Sequence, residues 1–108
     1  ELESRREQYD IDAGLNHTWN RHAHEWFGYP KDKTPSSLRG DWRALLERAS
    51  RSNEAVYWNS RGRLTVGHYY YDGSKHFFVQ YDGITGELVT AFIPNDRQLS
   101  AIFRALGR

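Results

Sequence analysis

The 108-residue sequence has no cysteine. That excludes disulfides, thiol nucleophiles and every cysteine-ligated metal site. The absence is compatible with any compartment and suits a domain that must unfold to cross a membrane. No apolar run approaches the roughly 20 residues that span a bilayer, and the opening residues do not read as a signal peptide. The chain starts at Glu1 rather than methionine, which reads as a fragment of something longer. Charge of either sign is not in excess. Fifteen Lys and Arg against fourteen Asp and Glu leave a formal charge of +1, so a nucleic-acid surface has to come from clustering of basic residues, not from the total.

What the chain does have is aromatic side chains: four Trp, seven Tyr and five Phe. Large rings can fill the core of a small single domain. Residues 1–11 are charged and lack apolar periodicity, and read as a flexible tether; residues 12–108 read as one domain. From Asp12, Leu15, Trp19, Ala23, Trp26 and Phe27 recur at helical spacing, with Asp12 or Asp10 as N-cap and Gly28 and Pro30 as the stop. A second helix is expected from Thr34, with Pro35 at its first position and Leu38, Trp42, Leu45, Leu46 and Ala49 as its apolar stripe.

Beyond Glu54 the period changes to two. Ala55–Asn59 reads as a strand, Arg61-Gly62 as a turn, and Leu64–Tyr71 with Lys75–Tyr81 as a hairpin about Asp72-Gly73. Leu88–Ile93 reads as a last strand, and Asn95-Asp96 as the cap of a final helix. The expected fold class is therefore α+β: two N-terminal helices, an antiparallel sheet of three to five strands, and a short C-terminal helix.

With about 100° per residue, His22 falls on the apolar stripe of the first helix, whereas His17 and His24 fall on the opposite side. A histidine so placed can be a catalytic group, or a core residue satisfied by carbonyls. The three do not share a face and no His-Glu-x-x-His spacing occurs, which argues against a metal site. In the hairpin a two-residue turn pairs Tyr69 with His76 and Tyr71 with Ser74. One face then carries Val66, His68, Tyr70, Phe77, Val79 and Tyr81, and reads as core. The other carries Tyr69, Tyr71, His76, Phe78 and Gln80. It reads either as a base-stacking surface or as ordinary strand-forming aromatics. In the last strand Leu88, Thr90 and Phe92 share a face.

The run Arg21-His22-Ala23-His24-Glu25-Trp26-Phe27-Gly28 resembles the basic-His-Ala-x-x-Phe-Gly helix of colicin D-type ribonuclease domains. Gly86-Glu87-Leu88-Val89-Thr90-Ala91-Phe92 is similar to the Gly-Glu-Phe-Val-Thr-Gly-Trp stretch of that family. In this chain a second helix and the tyrosine-rich hairpin lie between, and in both a short helix follows. The resemblance extends from about Asn16 onward. It implies membership of the barnase/EndoU-like group of metal-independent ribonuclease toxins, found at the C-termini of colicins and of contact-dependent inhibition proteins. His22 matches the family's catalytic histidine, Arg21 its flanking basic residue, and Thr90 and Phe92 its strand hydroxyl and aromatic. The family helix is richer in lysine; this one has Asn20 and Arg21.

On that resemblance the expected activity is endonucleolytic cleavage of RNA, tRNA in the first place, to a 2′,3′-cyclic phosphate and a 5′-hydroxyl. Such chemistry needs a base, an acid and donors to the non-bridging oxygens, but no cofactor. Beside His22, Arg21 and Thr90, the candidate catalytic residues are Tyr69 and His76. Phe92, Lys75, Tyr71 and His17 are candidates for holding substrate. The expected partners are RNA and a cognate immunity protein. The domain is expected to be a monomer that acts in the target-cell cytoplasm after delivery at the C-terminus of a secreted or cell-surface bacterial toxin. Two other classes fit the same residues: a non-catalytic module that binds RNA or protein through the aromatic sheet face, and a DNA nuclease or other toxin enzyme on a similar scaffold.

Overall fold

The computed structural model describes residues 9–108. The N-terminal helix has three pieces: α1 (Asp12–Thr18), a π-helical segment (Trp19–Ala23) and α2 (His24–Phe27). Asp10 caps it, its carboxylate accepting from the Ala13 amide at 3.2 Å. Gly28 closes it in the left-handed conformation, φ 82°, a conformation that glycine adopts without a Cβ penalty. A 3₁₀ turn (Ser36–Leu38) leads into α3 (Arg39–Ser50). Pro35 lies outside both at ψ 134°, so helix starts one residue later than the sequence predicts.

Four strands follow, β1 (Ala55–Ser60), β2 (Arg63–Tyr71), β3 (His76–Asp82) and β4 (Leu88–Phe92), then α4 (Asp96–Ala105). The sheet is an antiparallel meander in the order β1-β2-β3-β4, and the fold is α+β as expected. Asn95 and Gln98 form a reciprocal capping box at the start of α4, satisfying two otherwise unpaired amides.

The β2–β3 register differs from the sequence reading. Tyr71 pairs with His76, and Tyr69 with Phe78. The cause is the turn: Asp72 accepts from the amides of both Ser74 and Lys75, giving a four-residue connection where two were expected. A shift of two residues preserves which side chains share a face, so the division of the sheet into two faces stands.

The inner face buries Val66, His68, Phe77, Val79 and Tyr81 beneath the N-terminal helix and α3, which contribute Ala23, Trp26, Trp42, Leu45, Leu46 and Ala49 to the same cluster. Thr18 joins the two helices: it accepts from the Trp42 indole at 3.1 Å and donates to the Leu15 carbonyl. Tyr9 to Ile11 are not a tether. Tyr9 stacks on Tyr81 at 3.9 Å and bonds His68 at 2.8 Å, Asp10 bridges to Glu87, and Ile11 is core. The rest of that stretch lies outside the described residues.

The outer face is the one rich in rings. Tyr69, Phe78 and Ile102 form a second cluster, with Val56, Leu99, Phe103 and Leu106 packed around it. α4 therefore covers one end of this face and leaves the other open.

Candidate active-site cleft

The open end of the outer face is the floor of a cleft of about 710 Å³, within the range of small-molecule and cofactor sites. The N-terminal helix supplies one wall with His17, Arg21, His22 and Glu25. Thr90 and Phe92 of β4 and Phe78 and Gln80 of β3 form the floor, Trp58 and Arg61 close the β1 side, and Gln98 and Ile102 of α4 stand at the far end.

Three local features hold the wall against the floor. Gly14 of α1 touches the edge strand so closely that a Cβ there would come within 2.3 Å of the Leu88 carbonyl oxygen; only glycine lets the helix lie along β4. The β3–β4 pairing then slips between Gln80 and Tyr81: Gln80 pairs with Thr90, but Tyr81 pairs with Leu88. The extra residue on β4 turns Leu88 into the inner core, opposite to the sequence reading, while Thr90 and Phe92 stay on the outer face and Val89 joins the cleft lining. Such a bulge bends its strand locally and re-aims side chains.

The third feature is the π-helical segment. In an α-helix residues five apart point about 140° from one another at about 100° per residue. A π-helical turn closes i→i+5, and such turns recur at functional sites. The segment Trp19–Ala23 begins two residues after His17 and contains His22, and both side chains line the cleft. The α-helical projection that sends His17 to the opposite face fails for this reason. His24, assigned to solvent by the same projection, is half-buried over a separate shallow hollow lined by Trp19, Asn20, Asp32 and Thr34.

His22 is the most distinctive titratable group in the cleft. Its Nε2 lies 3.5 Å from the Thr90 hydroxyl and its ring 6.2 Å from that of Phe92. Its Nδ1 is buried without a hydrogen-bond partner, with a Glu25 oxygen 3.8 Å away. Burial pushes its pKa below the ordinary 6.5, against the opposing attraction of Glu25. At neutral pH the ring is therefore uncharged. Glu25 beside Nδ1 favours the proton there, which leaves the Nε2 lone pair facing Thr90 and the cleft. Arg61, at the tip of the β1–β2 hairpin, adopts φ 53°. Positive φ at a non-glycine residue is uncommon; here it forms a two-residue turn with Gly62 and sets a guanidinium on the cleft rim.

The structure thus brings together five of the sequence candidates, His17, Arg21, His22, Thr90 and Phe92, and excludes four. Tyr69 and His76 lie under α4: the Tyr69 hydroxyl bonds His76 Nδ1 at 2.6 Å, and both rings pack on Phe103. Tyr69 is 4% exposed, so it stacks on protein, and burial raises its pKa above the usual phenol value. Tyr71 is exposed beside His76 and bonds the Gly73 carbonyl. Lys75 is on the inner side, donating to the Trp26 carbonyl with its ammonium 4.3 Å from the centre of the Trp26 ring.

Arg39, Arg43, Arg48, Arg51, Arg61 and Arg63, which lie near one another in the sequence, are dispersed in the structure. Arg39 stacks on Trp19 and bonds Asn16, Arg43 pairs with Asp12 and Glu47, and Arg63 pairs with Asp82. Only Arg61 of that group lines the cleft. Gln80 and Glu25 were not singled out by the sequence; period-two alternation puts Gln80 on the outer face but does not say that this end is open. Among the described residues, no three His, Asp or Glu side chains converge to hold a metal ion, and no helix is long and apolar enough to cross a membrane.

Searches against protein-family models, curated proteins and solved structures return no match for this chain.

Proposed function

We propose that this domain is a metal-independent RNA endonuclease of the toxin type, with tRNA as its first candidate substrate and a cognate immunity protein as its natural partner. The observation that carries the reading is His22, with Nε2 3.5 Å from the Thr90 hydroxyl in a cleft that also holds His17, Arg21 and Arg61. The resemblance of the Arg21–Gly28 and Gly86–Phe92 runs to colicin D-type ribonucleases supports the same assignment.

In this mechanism the Nε2 of His22 takes the proton of a ribose 2′-hydroxyl. The freed oxygen attacks the adjacent phosphorus, the bond from phosphorus to the 5′-oxygen breaks, and His17 gives a proton to that oxygen. Arg21 and Arg61 balance the charge on the phosphate, and Thr90 donates to a non-bridging oxygen as charge develops there. The products are a 2′,3′-cyclic phosphate and a 5′-hydroxyl. Tyr69, Tyr71, His76 and Lys75 have no part in this scheme. A binding-module alternative would have to use the open end of the aromatic face, because α4 packs on the Tyr69 end.

Incubation of the domain with total tRNA in EDTA tests the proposal. Discrete fragments ending in a cyclic phosphate are expected, and loss of roughly 10²–10⁴-fold in rate for His22→Ala. Intact RNA at micromolar folded protein overturns it, as does cleavage that appears only when magnesium is added. RNA that is shifted on a gel but never cut assigns the cleft to binding alone.

A further inference from the structure

We propose that Gln80 is the specificity-determining residue of a nucleobase subsite in this cleft, and that it accepts a hydrogen bond from an exocyclic amino group of the base. That the ligand is a nucleotide rests on the ribonuclease reading; the polarity of the subsite rests on a separate chain of hydrogen bonds.

A glutamine side chain offers two N–H donors at one end and one carbonyl acceptor at the other. Its orientation is decided by its network rather than by its shape. Thr65, fully buried, settles that orientation. Its hydroxyl gives its single hydrogen to the Trp58 carbonyl at 2.6 Å. Toward Gln80 it can therefore only accept, and it takes a hydrogen from Nε2 at 3.0 Å. With Nε2 committed to Thr65, the amide carbonyl is the end left over for the cleft. Gln80 is 3% exposed and nevertheless lines the cleft. A purely structural position between Phe78 and Tyr81 would be filled without a desolvation penalty by an aliphatic residue. The chain from Trp58 through Thr65 instead presents a fixed lone pair to the cleft.

The rings around it suit a flat heterocycle. Trp58, Phe78 and Phe92 run across the floor, successive rings 5.6 and 6.0 Å apart and edge-to-face. The outer two are half-buried, leaving part of each ring accessible. The tip of the Phe78 ring lies over Gly67, where an added Cβ would come within 2.2 Å of it. A base stacked on Phe92 or Trp58 can turn its edge to Gln80. The amino group at C4 of cytosine or C6 of adenine donates to the carbonyl. Uracil and hypoxanthine place an oxygen there, so that two acceptors face each other.

The test is nucleotide binding to the intact domain, read by chemical-shift titration, with 3′-CMP against 3′-UMP and 3′-AMP against 3′-IMP. Within at least one pair the amino member is expected to bind roughly three- to tenfold tighter and to shift the Gln80 side-chain amide. Whichever pair discriminates identifies the base as pyrimidine or purine. Gln80→Leu is expected to abolish the preference. Thr65→Val, which keeps the shape but lets the amide turn over, is expected to reduce it while binding persists. Equal affinities within both pairs, or no binding of any of the four, overturn the subsite even if the domain cuts RNA. Selective binding by a domain that leaves tRNA intact in EDTA supports the subsite and sinks the ribonuclease reading instead.

Discussion

The two ends of the outer sheet face carry the same kinds of side chain and have become different things. At one end Tyr69 and His76 share a hydrogen bond under Phe103 and Ile102 of α4. Arg108 lies over Tyr69 and Phe103 and pairs with Glu54. At the other end His22, Thr90 and Phe92 line an open cleft. Tyrosine, phenylalanine and histidine on a strand thus say little about function. A histidine that shares a close hydrogen bond under a helix is part of the packing. One whose Nε2 faces a hydroxyl across a cleft is free to exchange a proton.

The largest effect that can break this contrast is on rate. His22→Ala is expected to lose roughly 10²–10⁴-fold in cleavage, whereas His76→Ala, compared under conditions where both variants are folded, is expected to cleave within severalfold of wild type. Equal losses in the two, measured on the same tRNA, would show that the closed end takes part in chemistry. Stability should show the reverse order. Truncating a buried ring removes both its transfer energy and its packing, so Tyr69→Ala is expected to destabilise by about 3–5 kcal/mol in urea unfolding. His22→Ala is expected to change stability far less.

Gly14→Ala connects the two readouts. Its Cβ would collide with the Leu88 carbonyl, so the helix must move off β4, at about 1–3 kcal/mol of overpacking. Because His22 rides on that helix, displacement by about 1 Å can lower the rate by about 10²-fold. A variant that loses stability yet keeps its full rate would show that the helix does not hold His22 in register with Thr90.

The smallest effect is on pH dependence. Burial lowers the pKa of His22 from 6.5 in the folded state, so the neutral base persists below that value. The acid limb of kcat/KM should fall below pH 6.5 and shift further down in Glu25→Gln, which removes the charge that pulls the pKa up. The sign for stability is the same: the unfolded chain binds the proton more tightly, so this contribution is full above about pH 6.5 and is lost as pH falls through the folded pKa. An acid limb at or above 6.5, or one that moves up in Glu25→Gln, would contradict the role of burial.

The element order was legible because each element needs only local pattern. Leu45, Leu46 and Ala49 recur at helical spacing and are buried in α3; strand alternation sorted Val66 and Tyr81 from Gln80 and Phe78. The candidate site was legible as far as Arg21, His22, Thr90 and Phe92, which the resemblance of their two sequence runs singled out and which line one cleft. Tyr69 and His76 were misplaced with equal local justification, since periodicity assigns a face and not a position along it.

The sequence by itself determined the α+β class, the antiparallel meander and the division of the sheet into two faces, because helical and strand periods are properties of neighbouring residues. Tertiary structure alone decided which end of the ring-rich face stays open, since the apolar stripe of α4 does not itself say which part of that face it covers. It also decided that His17 and His22 line one cleft: the π-helical segment that contains His22 is a departure from regular geometry that no periodic reading anticipates. And it decided which way Gln80 points, because an amide takes its direction from partners on other strands.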